Sequence, residues 1–505
     1  MFLKQIADPA LAQYSYLIGC QRTGEAVVVD PERDIDRYLE IAKHEGLKIT
    51  AVAETHIHAD FVSGAREFAA TDASIKLYLS AEGGPDWQSE WAKALPGHHP
   101  LHDGDSFKIG NIELQAIHTP GHTPEHMVFL VTDHGGGANE PIAMLSGDFL
   151  FVGDAGRPDL LEQAAGLEGT QEQGARSLYQ SLRKVSEMPC HVQVLPAHGA
   201  GSACGKALGS IANSTFGYEE KFNPALKMAL NESEANFVNF ILSGQPEPPA
   251  YFSNMKRVNK VGPAVLGELP AVHPMSLDQV AGRLNEPGFV VLDTRPRSEF
   301  LKGHLRGSLF TPPEKFTDFA GSFLSAEQEI VILAEDAAAA QDFLRQLVRI
   351  GFDHIVGFLP IAAMADAPAD VMEKFAAVDF SAVPALLGEN GNPFTVDVRK
   401  ATEFAGAHIR KAHNLAHTRL RLRLDEIPRV PLVVHCQTGQ RATGASAFLA
   451  RNGYNVTCVA DKFERAPGAI LASGYALDST DYNLSCLRDY FIRNWIDLGS
   501  LLDQA

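Results

Sequence analysis

Cysteine is scarce in this chain. There are six in 505 residues, at positions 20, 190, 204, 436, 458 and 486, with no Cys-x-x-Cys pair among them. That excludes a disulfide framework and a structural zinc module, and a reducing, cytoplasmic setting is the natural reading. Positive charge is also short. With a formal net charge of −19 there is no basic stripe for phosphate contacts, so nucleic acid is excluded as a partner. An anionic substrate must be drawn in by local cations and not by the overall field. No uninterrupted apolar run approaches the roughly 20 residues of a membrane-spanning helix, and no membrane partner is expected. The first twenty residues carry Lys4 and Asp8 and no long apolar core, so they do not read as a signal peptide.

What remains is a globular composition, 45% hydrophobic and 21% charged, long enough at about 150 residues per domain for roughly three domains. Up to about residue 130 the chain reads as short strands. Ala26–Asp30, Ile49–Thr55, Lys76–Ser80, Ile112–Ile117 and Met127–Val131 are apolar runs bounded by Gly, Pro, Asp or His. A helix fits Ile35–His44, stopped by Gly46, and another fits Gln171–Val185. With further strands at Ile142–Leu145 and Val192–Leu195, this predicts a layered αββα sandwich. Residues 243–270, which include Gly244-Gln-Pro-Glu-Pro-Pro-Ala250, read as a linker or surface connection. Beyond it the chain repeats itself. Asp293-Thr-Arg295, Glu299-Phe300 and His304-Leu-Arg306 recur 104 residues on as Asp397-Val-Arg399, Glu403-Phe404 and His408-Ile-Arg410. Strand and helix alternate in each copy, which implies a parallel sheet flanked by helices. The expected divisions are 1–242, the connection 243–270, repeat copies at 271–375 and 376–480, and a helical tail at 481–505. The fold class is therefore multidomain, α+β and α/β.

The run Thr55-His56-Ile57-His58-Ala59-Asp60-Phe61 follows a strand. Two imidazoles and a carboxylate at alternating positions on a turn can converge on one metal, although the residue types do not choose which metal. Thr119-Pro-Gly-His122, Ser146-Gly-Asp148 and Pro196-Ala-His198 each follow a strand-like run as well. Small residues let such loops bend to one sheet edge. Together these four elements resemble the metallo-β-lactamase superfamily, whose signature is His-x-His-x-Asp-His; here its last His is Phe61. The nearer resemblance is to the persulfide dioxygenases, a mononuclear iron branch. It implies His56, His122 and Asp148 as ligands of one Fe(II) per chain, with Zn(II) as the alternative, and His58, Asp60 and His198 as groups that orient ligands or substrate. His58 has an alternative role in holding its loop. Gly153-Asp-Ala-Gly-Arg157-Pro-Asp159 resembles the family's Gly-Arg-x-Asp loop. Arg157 is then either a clamp for anionic substrate groups or an ion-pair partner of Asp159. Cys204, in His198-Gly-Ala-Gly-Ser-Ala-Cys204-Gly-Lys206, resembles a cysteine near the iron site of fusions that carry two rhodanese-like domains. It reads as a second sulfur-handling thiol whose pKa Lys206 would lower, or as a packed inert thiol.

His435-Cys436-Gln437-Thr438-Gly439-Gln440-Arg441 lies between a strand and a helix. There a thiolate or persulfide faces backbone N–H groups and the positive end of the helix dipole. Gln437, Thr438, Gly439 and Gln440 form the anion-binding loop, and Arg441 adds a cation. The pattern matches the Cys-x-x-Gly-x-Arg loop of rhodaneses. The first copy has Ala334-Glu335-Asp336 in that place, with no thiol, so it reads as a degenerate rhodanese. Cys20, Cys190, Cys458 and Cys486 read as structural. The resemblance implies a persulfide dioxygenase that uses O₂ on a small-thiol persulfide, of glutathione, coenzyme A or a similar thiol. Cys436 would form or use thiosulfate with sulfite, and a homo-oligomer is expected. The rival readings are a mononuclear zinc thioester hydrolase of the glyoxalase II type with an attached sulfurtransferase, and a sulfur-carrier protein that is not an oxygenase.

Overall fold

A computed structural model describes residues 1–160, 162, 169–388 and 393–473; the tail expected at 481–505 and Cys486 lie outside them. The chain divides into two compact units, Met1–Pro270 with Val348–Gly351, and Ala271–Leu347 with the chain from Phe352 onward. Among the described residues no helix is long and apolar enough to cross a membrane.

The first unit is built from two six-stranded sheets. Residue alternation explains the layering, because successive strand residues point to opposite faces. Val27 and Val29, with Ala51 and Ala53, turn inward against Leu114, Ala116, Phe129 and Val131 of the other sheet. Ala26 and Val28 turn outward, onto Tyr38 and Ala42 of the helix Asp36–His44 and Phe68 of Ala65–Thr71. On the far side Val128, Leu130, Met144 and Val194 meet Leu178 and Leu182 of the helix Thr170–Lys184. Strands apolar on both faces thus give the αββα sandwich that was expected. Among the strands that escaped sequence reading are Phe2–Asp8 and Gln13–Cys20, an antiparallel pair at the sheet edge, and the short His98–Leu101 and Ser106–Ile109. Lys4, Gln5 and Asp8 break the apolar run of the first.

The stretch read as a linker contains the helix Phe252–Val261, which belongs to the first unit and is fastened to the His56–Phe61 turn. Asn259 Nδ2 donates to His58 O and Phe61 O, both at 2.8 Å, and its Oδ1 accepts from Ser63 N at 2.9 Å. Tyr251 Oη donates to Asp60 O at 2.7 Å. Proline and glycine dominate only its first part, and the helix after them satisfies turn carbonyls that would otherwise be buried without partners.

The second unit holds two sheets whose strands pair in parallel. One runs Leu309–Phe310, Phe289–Asp293, Glu329–Ala334, Ile355–Pro360; the other runs Ala376–Val378, Val456–Val459, Leu432–His435, Phe394–Asp397, His413–Asn414. The repeated motifs turn out to be pins of the scaffold. Arg399 Nε and Nη2 grip the buried Asp397 carboxylate at 2.9 and 2.6 Å, and Nη2 also donates to Ala407 O. Arg295 does the same to Asp293 and Gly303 O. His408 stacks on Phe404, and His304 on Phe300, each with ring centroids 3.9 Å apart. A buried carboxylate stripped of its guanidinium costs about 3–5 kcal/mol. Arg399→Ala is therefore expected to lower the unfolding free energy of this unit by that order, and Arg295→Ala by a similar amount, measured by denaturant titration of the full chain.

Candidate functional site

The metal site begins at Asp30. Its backbone is left-handed, with φ of 51°, a strained state for a non-glycine residue that survives only when its surroundings hold it. Here Asp30 N donates to Ala53 O, and Asp30 O accepts from Ser15 Oγ and Gln13 Nε2. The carboxylate accepts Thr55 N at 2.7 Å and Thr55 Oγ1 at 2.9 Å. Since the Thr55 hydroxyl proton lies on Asp30, Thr55 Oγ1 accepts from His56 Nδ1 at 2.9 Å. That fixes the His56 tautomer with its Nε2 lone pair free. His122 is set the same way: Nδ1 donates to Arg157 O at 3.0 Å, and Nε2 lies 3.4 Å from Asp148 Oδ2. Asp148 is oriented through its backbone N, which donates to His126 Nε2 at 3.0 Å.

His56, His122 and Asp148 offer ligand atoms all within 4.8 Å of one another, and all three residues are buried. His56 Nε2 and both Asp148 oxygens have no hydrogen-bond partner. Buried lone pairs in that state are rare in folded proteins, and a cation satisfies them. Two imidazoles and one carboxylate on one face therefore fit a metal with open positions. Burial, together with the neighbouring imidazoles, holds His56 well below the usual histidine range, which keeps it neutral as a ligand must be.

Asp60, His198 and Cys204 form a second buried group. His198 Nδ1 donates to Ala12 O, and its Nε2 lies 3.2 Å from Asp60 Oδ2 and 3.4 Å from Asp148 Oδ1. Burial works against charge on His198, but Asp148, Cys204 and Asp60 outweigh it and push the imidazole well above its usual range. Burial and the Asp148 carboxylate push the Cys204 thiol up to about 12. Lys206 does not act on this thiol as expected. Its Nζ donates to Phe240 O and Ser243 O and rests over the Phe240 ring, so it ties down the chain instead. Of the two roles read for Arg157, the structure shows the ion pair with Asp159. It holds Asp159 with two bonds of 2.7–2.8 Å and donates through Nη1 to Ala203 O and Pro246 O. A guanidinium buried to 1% exposure needs those partners to offset its desolvation.

His58 is not a member of the ligand cluster. Burial disfavours its charge, yet Asp30, 3.2 Å from Nε2, with Glu54 and Asp60, raises it to about 9. The phenyl ring of Phe61 lies on this imidazolium, ring centroids 4.2 Å apart. The residue that replaces the last signature histidine thus covers a cation, in the geometry of a cation–π contact. Sequence reasoning missed Asp30, His126, Tyr251 and Asn259. Only the isolated His126 near Thr119-Pro-Gly-His122 gave a sequence signal; the others act through distances along the chain that no motif spans.

The thiol loop follows the strand Leu432–His435. Cys436 Sγ accepts from Gly439 N at 3.1 Å and Ala442 N at 3.3 Å. Gly439, with φ of 82°, makes the left-handed turn that aims its N–H back at the sulfur, and the 12-residue helix Gln440–Arg451 starts there. Arg441 is a fixed cation, but Glu403 fixes it through bonds of 2.7 and 2.8 Å and shares its charge. Gln437 Oε1 accepts from Arg399, Thr438 O from Arg297, and Gln440 Nε2 donates to Glu314. In the first copy Asp293 pairs with Leu333 as Asp397 pairs with His435, so Ala334 stands in the place of Cys436. Asp336 Oδ1 accepts from Ala339 N, capping the helix where the second copy has its glycine turn.

Two outcomes are expected. Asn259→Ala strips partners from two buried carbonyls and one N–H, which costs about 1–3 kcal/mol for each group left unpaired; reduced metal content, read by elemental analysis, should accompany the loss of stability. His435, which precedes Cys436, is buried against Phe380 and Phe463, and burial outweighs the Asp397 charge, lowering its pKa from 6.5 to about 4. The unfolded chain then binds the extra proton between these values. Stability falls as pH drops from about 6.5 toward about 4, by on the order of 3 kcal/mol. Calorimetry of His435→Gln should show a shallower decline than wild type over that window.

Residues 8–198 match the metallo-beta-lactamase superfamily model, and residues 276–360 and 381–464 match the rhodanese-like domain model. The mitochondrial persulfide dioxygenase ETHE1 of Bos taurus is 27% identical over 234 residues, 46% of this chain and 78% of its own length. A hydroxyacylglutathione hydrolase of Rhodospirillum rubrum is 28% identical over 248 residues, 49% of this chain and 80% of its own length. A crystal structure of a metallo-beta-lactamase from Staphylococcus aureus subsp. aureus COL superposes with a TM-score of 0.63 and 38% identity, covering 71% of this chain and 99% of that one. With a sandwich of this topology, a buried two-histidine, one-aspartate cluster and a cysteine loop on a parallel sheet, the chain belongs to the metallo-β-lactamase superfamily and carries two rhodanese-like domains after its metal domain.

Proposed function

We propose that this chain is a mononuclear iron persulfide dioxygenase joined to a sulfurtransferase. The observation that carries the reading is the buried cluster of His56, His122 and Asp148, in which His56 Nε2 and both Asp148 oxygens lack a hydrogen-bond partner and both histidine tautomers are preset. Phe61, at the position that would otherwise serve a second metal, lies against the His58 ring, tilted by 30°. The similarity to persulfide dioxygenases over the first unit supports it. When bound, Fe(II) supplies the redox chemistry that lets O₂ react with a sulfane sulfur. The overall change converts R–S–SH, O₂ and water into R–SH, sulfite and two protons. His56 and His122 hold their ligand nitrogens unprotonated. His198 Nε2 faces Asp60 and Asp148, whose carboxylates favour a proton there. Cys204, beside His198, is the thiol a sulfane sulfur at this face would meet.

At Cys436 the thiolate attacks the outer sulfur of thiosulfate, giving Cys436–S–S⁻ and releasing sulfite; the reverse makes thiosulfate. Gly439 N and Ala442 N stabilise the sulfur anion, helped by the helix N-terminus. A second reading, a zinc hydrolase acting on a thioester, is favoured by the comparable identity to hydroxyacylglutathione hydrolases. Zinc would lower the pKa of a bound water for attack.

Anaerobic purification, metal analysis and an O₂ electrode separate the two. Iron with persulfide-dependent O₂ uptake supports the dioxygenase, whereas zinc with thioester hydrolysis supports the hydrolase. Cys436→Ser is expected to abolish thiosulfate exchange while O₂ uptake with supplied persulfide persists. His122→Ala is expected to lose metal and O₂ uptake and keep exchange. Loss of both activities from either substitution overturns the division of labour.

A further inference from the structure

The degenerate rhodanese copy has lost its thiol but keeps a cavity. A space of about 720 Å³ is walled by Phe310, Pro312, Phe343 and Ile361 of this copy and reaches Thr438 and Gln440 of the Cys436 loop. That volume suits a small organic molecule and far exceeds the need of thiosulfate or sulfite. Two bonds join its rim to the loop: Arg297 Nη1 donates to Thr438 O at 2.5 Å, and Gln440 Nε2 donates to Glu314 Oε1 at 2.5 Å.

The rim carries both signs of charge. Arg297 offers its remaining guanidinium N–H groups, whereas the nearby Arg295 is held by Asp293. Glu335, one residue beyond the position equivalent to Cys436, lines the cavity, is exposed, and forms no hydrogen bond or ion pair with a described residue. A guanidinium recognises a carboxylate, the carboxylates of Glu335 and Glu314 recognise an ammonium, and the apolar wall covers a short carbon skeleton. A polyphosphorylated thiol would set its phosphates against two carboxylates.

We infer that this cavity binds an aminocarboxylate thiol, an amino acid or small peptide, that exchanges sulfane sulfur with Cys436. The inference rests on the sulfurtransferase reading of Cys436. In the step, the acceptor thiolate R–S⁻ attacks the outer sulfur of Cys436–S–S⁻. The bond between the two sulfurs on Cys436 breaks, its electron pair stays on the Cys436 thiolate, and R–S–S⁻ leaves, so no oxidant or reductant is needed. The degenerate copy thus selects the thiol on which the active copy acts.

The test follows sulfur transfer by the full chain from thiosulfate to cyanide, cysteine, glutathione and coenzyme A. Cyanide is small enough to need no cavity. In Glu335→Lys, KM for cysteine and glutathione is expected to rise by about five- to tenfold with kcat retained, while turnover of cyanide stays at the wild-type value and coenzyme A is used no worse than before. Ala339→Trp, which fills the cavity from the helix beside it, is expected to raise KM for all three thiols and spare cyanide. Unchanged thiol KM in both variants, or coenzyme A as the best wild-type acceptor, overturns the inference. A wild-type chain that turns over no cyanide overturns the sulfurtransferase reading instead.

Discussion

The Asp30 carboxylate receives the Thr55 amide, the Thr55 hydroxyl and the His58 imidazole together, and the metal site depends on that convergence. The hydroxyl proton directed to Asp30 forces Thr55 to accept from His56 Nδ1, which leaves Nε2 to face the ligand cluster. The same carboxylate holds the charge on His58, which in turn gives Phe61 a cation to cover. Strain at Asp30 is sustained by bonds to two other strands, through Gln13 and Ser15 of one and Ala53 of the other. The outcome is a preset donor face whose geometry does not wait for the ion, the usual advantage of outer partners around a metal.

The second unit shows one scaffold put to two uses. Both copies keep the Asp–Arg grip and the His-on-Phe stack, because these secure the turn after the first parallel strand regardless of chemistry. The copies part at the loop that ends the neighbouring strand. Cys436 with Gly439 makes a turn whose N–H groups point at sulfur, while Ala334 with Asp336 makes an ordinary helix cap. The loss of the thiol did not close the pocket beside it. The divergent copy therefore retains a surface of its own against the Cys436 loop.

Much of this was legible in the chain. Strands apolar on both faces, such as Ala26–Val29, specify burial between two layers whatever their partners. The repeat of Asp, Arg and His at a fixed offset exposed the paired domains. His56, His122 and Asp148 were singled out because each follows a strand and a small-residue turn, and the structure brings their donor atoms within 4.8 Å of one another. Two readings depended on partners the sequence could not show. Lys206 carries charge that suggests action on the Cys204 thiol, yet it is bound by groups far along the chain, whereas Arg157 makes the ion pair with Asp159 that the sequence offered as one of its two roles. The Pro-rich stretch resembled a loose connection because its composition hides the helix that follows.

By itself the sequence determined the layers, the repeat, the candidate donors and the position of the candidate thiol, because periodicity and local turns depend on neighbours in the chain. Only the tertiary structure decided which nitrogen of His56 and of His122 faces the cluster, that Phe61 lies over His58, that Lys206 is bonded away from the Cys204 sulfur, and that a cavity reaches Thr438 and Gln440 of the Cys436 loop. Proton positions, desolvation and empty space are set by atoms brought together from distant segments, and folding is what brings them together.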